Sequence, residues 1–177
     1  MKKQVSISKT SRRYKHLLWF LLASTPFCYL LFWLFVEKFA GRLGYYHAYM
    51  IPAGFSPVMK MLGFTVSMIQ GVVVMYGLHS LAKLFSLYEK GQFFREENIN
   101  CFKQLSNILL LWVGAGLLVT PLKALVLTMH NPPGHHMIEL TFQSADLTAL
   151  ITGGILRVIA HVMDQGRELQ EEVELTV

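Results

Sequence analysis

The stretch Leu105–Thr128, LSNILLLWVGAGLLVTPLKALVLT, carries a single charged side chain, Lys123, and so has no polar face to offer water. Wound as a helix at 1.5 Å per residue it would run about 36 Å, enough to cross the roughly 30 Å of bilayer hydrocarbon. Three more runs of the same kind flank it, His16–Val36, Met61–Ala82 and Ala145–Met163. Residues are 53% hydrophobic and only 15% charged overall, and uninterrupted runs of this length leave lipid as the simpler solvent. The sequence therefore predicts an all-α polytopic membrane protein with transmembrane helices at 16–36, 61–82, 105–128 and 145–163. One membrane domain fills residues 1–177, with a basic segment at 1–15 and an acidic tail at 164–177.

Charge sets the expected orientation. Lys2, Lys3, Lys9, Arg12, Arg13 and Lys15 precede the first run; Lys83, Lys90, Arg95 and Lys103 fall in the second connection; Arg167 lies in the tail. The first connection, by contrast, has only Lys38 and Arg42, and the third, Met129–Ser144, has neither lysine nor arginine. The bias toward positive charge inside places both termini in the cytoplasm. The same bias, with attraction to anionic lipid head groups, accounts for the net charge of +5 without a nucleic-acid partner. Val36-Glu37-Lys38-Phe39-Ala40 offers no small-x-small cleavage site, so the first run reads as an uncleaved anchor. Cys28 and Cys101 fall on opposite sides of much hydrocarbon, which argues against a disulfide between them.

An internal repeat is also suggested. YEKGQFFREE at Tyr88–Glu97 aligns with MDQGRELQEE at Met163–Glu172, matching a glycine, an apolar residue and two glutamates. Each copy follows a run entering the cytoplasm, as a duplicated two-helix hairpin would require. Alternatively, each glycine simply ends a helix and the glutamates begin the next. Small residues recur every fourth position in Gly63-Ser67-Gly71, Gly116-Thr120-Ala124 and Ala145-Ala149-Gly153. These stripes lead to the expectation that the second, third and fourth runs meet closely in the outer half of the membrane and splay toward the cytoplasm.

LYEKGQFFREEN at Leu87–Asn98 and GRELQEEVELTV at Gly166–Val177 resemble the bacterial membrane family named domain of unknown function 2975. The resemblance covers nearly the whole chain, although the long histidine-bearing outer loop is less typical. It implies four transmembrane helices and, in many members, a neighbouring gene for a small helix-turn-helix regulator. It carries no established catalytic residues.

Ionisable residues within membrane runs usually mark function, because burying them in lipid is costly. Lys123 and Asp146 share an outer depth and could pair; His79, Arg157 and His161 form a polar layer nearer the inner end. Interfacial anchoring plus one structural ion pair is the preferred reading over a proton or ion pathway, since pathways usually need charges nearer the midplane. Gln70 reads as an interhelical hydrogen-bonding residue. In the outer loops, His130, His135, His136 and Glu139, with His47, are candidate metal ligands, though their spacing matches no closed site and no cofactor is expected. Tyr45, Tyr46 and Tyr49 fit an interfacial aromatic belt or a short helix lying on the outer leaflet, closed by Pro52 and Pro57.

There is no Gly-x-Ser-x-Gly elbow, His-Glu-x-x-His pair or phosphate-binding glycine loop, so no enzyme is expected. Gly91, Glu96, Glu97, Gly166, Leu169, Glu171 and Glu172 become candidates for docking a cytosolic partner such as the helix-turn-helix regulator. The competing classes are a small transporter or channel subunit, needing homo-oligomerisation, and a packing subunit of a membrane complex. Either way the expected location is the bacterial cytoplasmic membrane.

Overall fold

The computed structural model describes residues 2–40, 42, 49, 54–92 and 95–175, with side chains at 2–7 and 170–175 outside that description. Among them lie five helices: α1 (Lys2–Leu34), the short α2 (Val36–Ala40), α3 (Pro57–Glu89), α4 (Glu96–Thr128) and α5 (Ser144–Leu175). The four long ones are each apolar and long enough to cross a membrane. At 33, 33, 33 and 32 residues they reach about 50 Å, so each overruns the hydrocarbon at its ends. Their apolar exteriors, with Phe20, Phe27, Ile151 and Val158 among the exposed side chains, suit lipid. The chain is thus a multi-pass membrane protein.

Local chemistry fixes the helix ends. Ser56 caps α3, its Oγ accepting from the Met59 backbone N–H at 3.2 Å, and Pro57 follows where a missing N–H costs nothing. At the far end Gly91 takes φ +74°, its N–H bonds the Tyr88 carbonyl and the Gln92 N–H bonds the Leu87 carbonyl, both at 3.1 Å. This is a Schellman cap, and it turns the chain into α4. Asp146 supports the start of α5, its Oδ2 accepting from the Gln143 N–H at 2.8 Å.

The helices pack in series. α1 lies on α3, α3 on α4 and α4 on α5, while α1 and α5 are not packed along each other. A closed up-and-down bundle would have that fourth seam. Three buried clusters mark the depth: Trp33, Val36, Ala40, Phe55, Met59 and Leu127 at one end, Val73, Ile108 and Ala115 in the middle, Leu84, Leu87, Cys101 and Leu105 at the other.

Two expectations are corrected. Gly63-Ser67-Gly71 does not seat α4 or α5; it seats aromatic side chains of α1. A methyl at Gly63 would overlap the Trp33 indole, Trp33 Nε1–H donates to Ser67 Oγ at 3.0 Å, and Tyr29 lies over Gly71. The expected splaying is also missing, because Leu156 of α5 packs on the Leu84–Leu105 cluster at that end. The other two stripes make the anticipated close approaches, Gly116 of α4 lying beside Gln70 of α3 and Asp146 of α5, and Gly153 of α5 lying against Leu109 and the Ser106 carbonyl.

Candidate functional site

The two ends of the row carry different chemistry. At one, the α1 N-terminal half, the α3–α4 turn and the C-terminal half of α5 gather. Glu89 receives Arg12 Nε at 2.7 Å and Lys15 Nζ at 2.6 Å, while Asp164 receives Lys103 Nζ at 2.8 Å and Arg167 Nη2 at 3.6 Å. All the elements expected in the cytoplasm therefore share one end, and Glu89 ties the basic N-terminal segment to it. Partly exposed pairs of this sort at a protein surface add little stability each; their effect is to set how the ends of neighbouring helices are placed.

The expected docking residues lie at this end. Glu96 and Glu97 are exposed in the first turn of α4, where a carboxylate favours the helix N-terminus. Gly166 does not repeat the role of Gly91. It sits within α5, which continues without a break to Leu175, so the expected glycine cap after the fourth run is not formed. The residues from Asp164 to Leu175 accordingly extend the membrane helix by about 18 Å rather than forming a separate tail. Leu169 is 62% exposed on that extension. Glu171 and Glu172 belong to the helix, but their side chains lie outside the described residues.

The residues expected to form an inner polar layer do not converge. His79 meets the Trp19 ring edge-on at 5.8 Å, Arg157 Nη1 donates to Asn107 Oδ1 at 3.5 Å, and His161 is exposed on α5. Lys123 and Asp146 do not form an ion pair. Asp146 Oδ1 and Gln70 Nε2 both lie near Gly116 on α4, whereas Lys123 lines an open groove with Cys28, Tyr29, Phe32 and Ser67. Sequence reasoning missed this groove, since α1's seat on α3 is legible only once Trp33 is seen over Gly63.

At the opposite end the loop before α5 is strapped down. Asn131, 8% exposed, donates through Nδ2 to the Tyr49 carbonyl at 3.0 Å; Tyr49 OH donates to Glu139 Oε2 at 2.8 Å; and Thr141 Oγ1 donates to Glu139 Oε1 at 2.7 Å. These hydrogen bonds hold the Glu139 carboxyl below the usual carboxylate range, the one from Thr141 most strongly. His136 Nδ1 lies 3.0 Å from the Thr128 carbonyl, and His130 and His135 are exposed. Among the described residues no three His, Cys, Asp or Glu side chains come together as metal ligands. His47, Tyr45, Tyr46 and Pro52 lie outside the described residues. Cys28 and Cys101 are free thiols, the first exposed and the second buried.

No curated protein and no solved structure matches the chain. Residues 46–177, which hold α3, α4 and α5 and leave α1 and α2 outside, match the profile of the family described as "Protein of unknown function (DUF2975)", and the chain belongs to that family.

Proposed function

We propose that this chain is a membrane accessory or regulatory protein without catalytic activity of its own, which uses its cytoplasmic end to bind a soluble partner. The observation that carries this reading is the unbroken α5, whose last turns project beyond the membrane run as a rigid helix. Along that projection the sequence places Asp164, Glu168, Glu171, Glu172 and Glu174 against Arg167, with Leu169 exposed. A rigid acidic strip with a small apolar element suits a basic protein: charge speeds encounter and selects the partner, and the apolar side chain anchors it. A helix-turn-helix DNA-binding regulator has the required basic surface, and the resemblance of the two motifs to their family suggests such a neighbour. The cytoplasmic membrane of a bacterium is the location this reading requires.

Serial packing weighs for this reading over a channel, because a row of helices encloses no central space within one copy. The test is affinity purification from native membranes, comparing the full chain, a chain truncated before Asp164, and Glu171→Lys with Glu172→Lys. A small basic DNA-binding protein should be recovered with the full chain and lost with both variants. Equal recovery with all three, or recovery of membrane proteins alone, would overturn the proposal.

A further inference from the structure

Lys123 is the one ionisable residue in the apolar run of α4, and its surroundings supply no counter-charge. Among the described residues the ion pairs join Arg12, Lys15, Lys60, Lys103 and Arg167 to carboxylates, and Lys123 is not one of them. The undescribed residues 43–48 and 50–53 contain no Asp or Glu that could serve. Nor does Asp146, whose Oδ1 lies beside Gly116 and which is in none of these pairs. Lys60 makes the contrast: in the first turn of α3 it reaches Glu37 at 2.8 Å.

Helix direction explains the difference. Side chains lean toward the N-terminus of their helix. For Lys60 that direction leads out of the apolar slab; for Lys123, five residues before the C-terminal end of α4, it leads inward. There Lys123 meets an open cavity of about 340 Å³. It is lined by Ser67 of α3, by Cys28, Tyr29 and Phe32 of α1, and by Lys123 itself. The serial packing keeps the groove open, because α5 is not packed along α1.

We propose that this groove binds the oxyanion head of an amphiphile, a carboxylate or a phosphate diester, with Lys123 as counter-ion and the acyl chain against the aromatic wall of α1. A cation held in lipid needs a partner. An anion entering sideways from the bilayer with its own apolar chain satisfies Lys123 and covers Tyr29 and Phe32 together. Ser67 can donate to the same head group; its Oγ accepts from Trp33 Nε1–H, which leaves its own proton free to point into the groove.

Cys28 is a built-in reporter, since it lines the groove and is exposed while Cys101 is buried. The experiment measures alkylation of Cys28 by N-ethylmaleimide on the full chain in a non-ionic detergent. Added ligands are oleate, oleyl alcohol, dioleoylphosphatidylglycerol, dioleoylphosphatidylcholine and inorganic phosphate. Oleate or phosphatidylglycerol should slow the reaction about tenfold, the scale of a charge-assisted contact. Whichever of the two protects identifies the source of the anion. Oleyl alcohol, phosphatidylcholine and inorganic phosphate should leave the rate unchanged. Lys123→Met should lose the protection, while Lys123→Arg and Lys60→Met should keep it. Equal protection by oleate and its alcohol together with equal protection by the two phospholipids, protection by inorganic phosphate alone, or protection surviving in Lys123→Met would overturn the proposal. If Lys123→Met fails to assemble, the charged and uncharged ligands compared on the native chain still decide.

Discussion

Single side chains decide how α1 attaches. Gly63 is small because the Trp33 indole occupies the space a side chain would need, and Ser67 is polar because the indole N–H must be satisfied away from water. Gly63→Val should force the indole off its seat at about 1–3 kcal/mol, the usual scale of overpacking. Trp33→Phe should cost less through the hydrogen bond, about 0.5–1.5 kcal/mol, plus whatever packing the smaller ring gives up. Thermal unfolding in detergent, followed by helical circular dichroism, checks both; an unchanged midpoint for Gly63→Val would mean that α1 does not rest on α3 in this way. At the other end, Glu139 carries a pH dependence. Its carboxyl is held below the usual range by Thr141 and Tyr49, so its contribution is complete above the unfolded-state pKa and is lost as pH falls through the lower folded value. Glu139→Gln should therefore lower the midpoint near neutral pH and make no difference in acid, and a deficit that persists in acid would contradict the carboxylate's role.

At the scale of elements, the four long helices were legible because length and the near absence of charge leave little choice in lipid, and Leu105–Thr128 would have served alone to name the class. Helix ends were less legible: apolar runs report hydrocarbon, whereas helices stop where caps form. The suggested repeat shows why. Gly91 and Gly166 sit in similar strings, yet only Gly91 adopts φ +74° and closes α3. After Gly166 nothing breaks the backbone, and the residues that follow are good helix formers, so α5 continues. Gly91→Ala should accordingly destabilise by about 1 kcal/mol, the penalty for a side chain in the left-handed region. Gly166→Ala should stabilise by about 0.5–1 kcal/mol, since a methyl there meets nothing within 4 Å and glycine is the costlier helix residue. Unfolding midpoints that move in the same direction for both would restore the equivalence of the two motifs.

For the whole molecule, serial packing is what the sequence could not convey. Periodic small residues state that a helix has a close neighbour without stating which, and the α3 stripe chose α1 because Trp33 and Tyr29 supply the bulk that fits it. Depth, by contrast, was readable: Arg12 and Lys15 meet Glu89, and Lys103 meets Asp164, so charges assigned to one side by counting do gather at one end. We propose that this end faces the cytoplasm, on the ground that cations near short loops resist translocation. Cysteines introduced at the exposed positions His135 and Glu97, in a chain whose Cys28 and Cys101 are replaced by serine, test this directly. In intact cells a membrane-impermeant maleimide should label the His135→Cys chain and leave Glu97→Cys unlabelled until the membrane is opened. The opposite pattern would invert the protein, put the acidic extension of α5 outside, and remove any route by which it could hold a cytosolic partner.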